Sequence, residues 1–273
     1  MLRPPASRKE GPLTTVAHRF RHGVLTLILN RPAKKNAANG EMLRALDEAL
    51  AAWEGREEVR VLELTGAGGC FSAGADLGEL AAGGPSGARR FHDLRERVFA
   101  RIEALPYPTL AAVEGYALGT GLELALCTDF RLVTEDAVLG VPSSRLGVVE
   151  SLLYLGRLVR AVGPAQARFL VLTGRTVTGA EARWLGLAED VCPAGELARR
   201  AAEIAAAVAD FPPWALRGTK KALARLDPVP RLDAAEAGEP FVKSWARHET
   251  LELAGAVLER KRRRAGGRTG GGP

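Results

Sequence analysis

Two glycine-containing loops and one glutamate carry the chemistry that can be read from this sequence. Each loop follows an apolar run with strand character and leads into a helical pattern: Gly66-Ala67-Gly68-Gly69-Cys70-Phe71-Ser72-Ala73-Gly74-Ala75-Asp76 and Glu114-Gly115-Tyr116-Ala117-Leu118-Gly119-Thr120-Gly121-Leu122-Glu123-Leu124. Backbone N–H groups at the start of a helix have no intrahelical acceptor and lie at the positive end of its dipole, so they suit an anion or a developing oxyanion. Two such loops in one chain can converge on one oxygen, although either alone also reads as an ordinary strand-to-helix turn. Neither contains GxGxxG or GxxxxGK[ST], which disfavours a dinucleotide or nucleoside triphosphate site.

Glu123 lies in the first turn of a helix whose other residues, Leu118, Leu122, Leu124, Ala125 and Leu126, are apolar. An acid there complements the helix dipole. Among apolar neighbours it would also be desolvated, which raises its pKa toward the range useful for acid/base work. Ser143 and Ser144 have no GxSxG elbow and no histidine nearby, which argues against a serine hydrolase. His18 and His22, placed on one face of a strand by their spacing, have no acidic or cysteine partner to suggest a metal, and His92 and His248 fall in helical patterns.

The elements that must position these groups alternate strand and helix. Strand patterns cover 23–29, 59–65, 108–113 and 130–133; helical patterns cover 42–53 and 88–105, with a short helix opening near Gly119. Such βαβ alternation predicts a mostly parallel sheet with helices against it. From about Leu152 the strand signal thins and helices dominate to about Arg262. Ser151 is a candidate N-cap for a helix running to Val162. The Pro-rich start and Gly-rich end predict disorder for residues 1–13 and 263–273, leaving a core over 14–195 and a helical region over 196–262.

Motifs in series carry a resemblance. Leu29-Asn30-Arg31-Pro32 with Asn36-Ala37, then Phe71 to Leu77, then Ala111 to Gly119, and onward through Arg160-Ala161-Val162-Gly163, Leu172-Thr173-Gly174 and Ala182-Leu185-Gly186-Leu187 to Lys220, are similar to the signatures of the crotonase (enoyl-CoA hydratase/isomerase) superfamily. The resemblance spans roughly residues 15–262. It implies an α/β fold, a spiral of ββα turns ending in a helical trimerisation region, assembled as trimers or paired trimers. It also implies an acyl-CoA substrate, with coenzyme A entering as part of that substrate and no separate cofactor or metal.

By motif position the resemblance places the oxyanion-binding N–H groups on Ala73 and Thr120, with Ala73, Gly74, Ala75, Asp76 and Thr120 lining the thioester site. Glu123 matches the first catalytic glutamate of the hydratases. Most relatives have glycine where this chain has Thr120, a change that keeps the backbone donor provided threonine adopts the required dihedrals. The second glutamate of typical hydratases is replaced by Ser143. Glu150 falls near the nucleophilic aspartate of the related 4-chlorobenzoyl-CoA dehalogenases and is read either as a relocated acid/base or as a helix-start residue. Leu152, Leu153 and Tyr154 replace a Pro- and Gly-rich loop and are expected to reshape the acyl pocket. Lys34 and Lys35 are candidates for the CoA phosphates or for a solvated pair. With one glutamate of the pair missing, hydration, Δ3,Δ2 isomerisation and other enolate chemistry all stay open.

Bulk properties set the remaining bounds. The formal charge of the 273-residue chain is +6, an excess matched by Arg260, Lys261, Arg262, Arg263, Arg264 and Arg268 alone. A nucleic-acid role would rest on that tail, which lacks an aromatic stacking platform and reads more simply as a solvated helix end. Cys70, Cys127 and Cys192 have neither CxxC spacing nor an even count. No apolar run approaches the roughly 20 residues of a membrane span, and the first residues lack a secretory h-region. A cytoplasmic enzyme is expected.

Overall fold

A computed structural model describes residues 15–226 and 234–266. The N-terminal segment 1–13 and residues 267–273 lie outside them, whereas residues 263–266, expected to be disordered, end the last helix. The chain opens with an antiparallel hairpin, β1 (Val16–Arg21) and β2 (Val24–Leu29). His22 and Gly23 form its turn with φ of 47° and 78°, the two positive φ values that suit a tight hairpin. His18 therefore sits in β1 and His22 in the turn, not on one strand face.

Asn39 caps α1 (Gly40–Trp53) by accepting from the Met42 N–H, and Met42, Leu43, Leu46 and Leu50 face the core. Next come β3 (Val61–Gly66), α2 (Leu77–Ala104), β4 (Thr109–Val113), β5 (Tyr116–Leu118) and α3 (Thr120–Leu126). Helix α2 starts eleven residues before the pattern predicted from Ala88. Its first turns are separated from the rest by a kink at Gly84 (φ 54°, ψ −157°) ahead of Pro85, a pair that reads in sequence as a break. The chain continues through β6 (Phe130–Thr134), β7 (Val138–Gly140) and α4 (Leu152–Thr173), the last kinked at Gly163-Pro164. It ends with β8 (Thr176–Thr178), α5 (Gly179–Leu185), β9 (Asp190–Cys192), α6 (Leu197–Ala209), α7 (Pro213–Leu226), α8 (Ala234–Ser244) and α9 (His248–Gly266).

The main sheet has the order β1-β2-β3-β4-β6-β9, parallel except for the β1–β2 hairpin; a smaller sheet has the order β5-β7-β8. Every residue of β4 is buried, as a parallel strand covered on both faces requires. Strands β8 and β9 are too short to show an alternation in sequence. The C-terminal helices divide their work. Leu197 and Ala201 of α6 pack on Leu110, Ala112 and Leu132 of the sheet, while Phe241 and Trp245 of α8 join the central core. No helix among the described residues is long and apolar enough to cross a membrane.

Candidate functional site

Asn36 holds the first loop in place. It is fully buried with φ of 52°, a left-handed conformation that asparagine tolerates better than most residues. Its Oδ1 accepts from the Arg31 N–H at 2.8 Å and its Nδ2 donates to the carbonyls of Ala67, at 2.9 Å, and Cys70. The Ser72 hydroxyl donates to the Asn36 carbonyl at 2.8 Å. Ser72 also bonds the second loop: its N–H donates to Tyr116 O (2.7 Å) and its carbonyl accepts from Leu118 N–H (3.1 Å). The loops also approach each other closely at Gly74. A Cβ there would stand 2.8 Å from Leu118 O and 4.0 Å from Thr120 N, and its φ is +102°, so glycine is required both for space and for conformation.

The hydrogen bonds along this segment move the expected donor off Ala73. The Ala73 N–H donates to Lys35 O at 2.9 Å and is already engaged. Gly74 N–H points at Ser72 Oγ (3.3 Å), and Asp76 N–H donates to Ala38 O (2.7 Å). Ala75 pairs with Ala38 in a parallel bridge that uses the flanking Gly74 carbonyl and Asp76 N–H, so its own N–H faces the other way. Among the described residues that N–H has no acceptor, and neither has Thr120 N–H at the first position of α3. Ala75 N–H, not Ala73 N–H, therefore joins Thr120 N–H as an unengaged donor. Asp76 has a structural duty: its carboxylate caps α2 by accepting from Gly78 and Glu79 N–H, and pairs with Arg31 at 3.1 Å.

Glu123, one turn into α3, is fully buried. Its Oε1 accepts from Arg157 Nη1 at 2.8 Å and its Oε2 lies 3.3 Å from Arg95 Nε. Both arginines also hold Glu96, through Arg95 Nη2 at 2.9 Å and Arg157 Nη1 at 2.7 Å. Burial works against ionisation of Glu96, but the two guanidinium groups outweigh it and hold its carboxyl below the usual range. Glu123 behaves oppositely. Burial pushes its pKa up to about 8 against the pull of Arg95, with Glu96 adding to the rise and Arg157 opposing it. Two cations facing several carboxylates cannot favour ionisation of them all, and the pKa of Glu123 is among those that rise.

Ser143 and Glu150 are brought together. The Ser143 hydroxyl donates to Glu150 Oε1, so a carboxyl group stands beside the position where the second glutamate is missing. Glu150 is buried, and burial raises its pKa, opposed first by Arg95 and then by the Ser143 hydrogen bond. Ser151 does cap α4, accepting from Tyr154 N–H at 3.2 Å, and its hydroxyl also accepts from Arg95 Nη2 at 3.1 Å. Leu152 is 42% exposed, whereas Tyr154 is fully buried and donates to Gly119 O at 2.8 Å. Lys34 and Lys35 are exposed, with Lys35 Nζ 4.3 Å from the centroid of the Tyr116 ring.

Sequence reasoning missed Arg95 and Arg157. The signal was present: Phe91, Arg95, Val98 and Ile102 share one face of α2, and Tyr154, Arg157 and Leu158 share one face of α4, all buried. A cation on an apolar stripe marks a buried charge that must have partners.

The fold and this pair of loops have counterparts among known proteins. The enoyl-CoA hydratase/isomerase family model matches residues 19–248. A 2,3-dehydroadipyl-CoA hydratase of Escherichia coli K12 is 36% identical over 239 residues, covering 87% of this chain and 93% of that protein. A short-chain-enoyl-CoA hydratase of Clostridium acetobutylicum is 36% identical over 203 residues, covering 74% and 78%. The crystal structure of an enoyl-CoA hydratase/isomerase from Xanthobacter autotrophicus Py2 superposes with a TM-score of 0.82 at 28% identity, covering 91% of this chain and 94% of that one. The chain belongs to the enoyl-CoA hydratase/isomerase family, as its motifs imply.

Proposed function

We propose that this chain hydrates a 2-enoyl-CoA, holding the thioester carbonyl between the N–H groups of Ala75 and Thr120 and moving protons with Glu123 and Glu150. The observation that carries this reading is the pair of unengaged N–H groups on loops that meet at Gly74, with Glu123 one helical turn beyond Thr120. Addition of water to C3 puts negative charge on the thioester oxygen as C2 becomes enolate-like. Two preorganised donors stabilise that charge, and loss of one such donor costs about 3–4 kcal/mol in the barrier.

Hydration needs one carboxyl to take a proton from water and one to give a proton to C2. Burial raises the pKa of both Glu123 and Glu150, moving each in the direction that suits a carboxyl that must give as well as take a proton. The hydrogen bond from Ser143 to Glu150 supports Glu150 as the stand-in for the missing glutamate. A Δ3,Δ2 isomerisation needs only one of the two to carry a proton between C2 and C4. The firm hold of Arg157 on Glu123 favours that second reading, because it limits the access of this carboxyl to water.

The exposure of Lys34 and Lys35 beside the first loop supports a role for them at the CoA phosphates. Trp184 and Trp214 are 90% and 79% exposed, and such apolar surface supports assembly as a trimer or paired trimers. Cys70, Cys127 and Cys192 are buried free thiols, which fits a reducing, cytoplasmic location.

The test offers 2-enoyl- and 3-enoyl-CoA thioesters separately and follows the conjugated-enoyl absorbance. Loss of the absorbance of the 2-enoyl substrate supports hydration, and its appearance from the 3-enoyl substrate supports isomerisation. Absence of binding to any acyl-CoA overturns the reading.

A further inference from the structure

We infer that Tyr154 is a positioning residue for the oxyanion site, fixing the plane of the Gly119–Thr120 peptide and thereby the direction and strength of the Thr120 N–H. This rests on the proposal that Thr120 N–H is one of the two thioester donors.

A peptide group is planar and trans, so its C=O and N–H point in opposite directions and fixing one fixes the other. The Gly119 carbonyl accepts from Tyr154 Oη at 2.8 Å and from Glu123 N–H at 3.0 Å. Gly119 has φ 50° and ψ −120°, a conformation that residues with a Cβ rarely reach, and a Cβ there would meet nothing within 4 Å. Neither packing nor torsional restriction at Gly119 therefore holds the peptide plane. Its N–H is tied to Gly140 O at 2.9 Å, but that bond belongs to the preceding peptide. The anchors left for the Gly119–Thr120 plane are the first helical bond and the tyrosine hydroxyl.

The tyrosine is itself well placed to act as an anchor. It is fully buried, its N–H is capped by Ser151 Oγ, and Ser151 is tied in turn to Arg95. Burial, with Glu150 and Glu123 nearby, pushes its phenol pKa well above the ordinary value, so the hydroxyl stays a donor. Donation to a carbonyl also polarises the peptide and strengthens its N–H as a donor.

The test compares wild type with Tyr154→Phe, using hexadienoyl-CoA as a probe whose absorption moves to longer wavelength when its carbonyl is polarised. Wild type is expected to shift the bound probe. Tyr154→Phe is expected to bind it within about threefold of wild type, to shift it less, and to lose roughly tenfold in kcat on the turnover substrate with KM little changed, the size of one net hydrogen bond. A merely structural tyrosine would lower the melting temperature without moving the probe. An unchanged shift with kcat within about twofold of wild type overturns the inference alone, since one weakened hydrogen bond is worth more than that. A probe that wild type binds but does not shift overturns the oxyanion assignment as well. Should Tyr154→Phe fail to fold, 3-fluorotyrosine at position 154 keeps the shape and strengthens the donor. It should increase the shift, and no increase overturns the inference.

Discussion

Replacing Glu123 by glutamine separates its acid/base role from its place in the buried ion cluster. The amide oxygen can keep the 2.8 Å bond from Arg157 Nη1, but the amide nitrogen then faces Arg95 Nε across the 3.3 Å now spanned by Oε2. Two donors face each other there, a mismatch of about 1–3 kcal/mol. At neutral pH glutamine otherwise mimics the protonated carboxyl, which burial favours by raising the pKa to about 8. The fold should therefore survive. Catalysis should not, because general acid/base transfer accounts for about 10²–10⁴-fold. Steady-state turnover of a 2-enoyl-CoA, with binding of a saturated acyl-CoA measured in parallel, should show kcat down by at least about 10² with affinity kept.

Melting as a function of pH gives an independent check on the same variant. A carboxyl whose folded pKa is raised contributes stability that is fully present below its unfolded value, about 4.3, and lost as pH rises through the folded value. Relative to Glu123→Gln, wild type should thus lose stability between roughly pH 4.3 and pH 8. Turnover of the variant within about tenfold of wild type would refute the acid/base role, and parallel melting profiles would refute the displaced ionisation.

The hydrogen bond from Ser143 opposes the effect of burial on Glu150, so Ser143→Ala should raise the Glu150 pKa and move the acidic limb of the kcat/KM profile to higher pH. Asn36→Ala removes three hydrogen bonds made by a buried side chain and should destabilise the protein by about 3 kcal/mol in urea unfolding. Gly74→Ala places a Cβ 2.8 Å from Leu118 O at a φ of +102° and should cost at least about 10² in kcat by parting the donors. Gly83→Ala, with nothing within 4 Å of the added Cβ, serves as its neutral control.

By itself the sequence determined the alternation of strand and helix, the two glycine loops before α2 and α3, and the family. Those are local signals: apolar runs, the period of 3.6, the cap at Ser151, and glycine where the backbone turns. It also determined that Glu123 lies among apolar residues, because its neighbours along α3 are leucine and alanine. The kink at Gly84-Pro85 hid the start of α2, since the same dipeptide that ends a helix can bend one when tertiary packing holds both halves.

Tertiary structure alone decided which N–H groups are left unengaged. Ala73 and Ala75 are chemically equivalent in sequence, and only the pairing with Lys35 and Ala38, some 37 residues earlier, spends one and spares the other. It also decided the partners of Glu123, because Arg95 and Arg157 come from helices α2 and α4, 28 and 34 residues away in sequence. The seven residues from Ser143 to Glu150 and the 35 from Gly119 to Tyr154 are likewise closed by the fold. Hydrogen bonds act over about 3 Å, and where their partners come from distant segments no local pattern encodes the match.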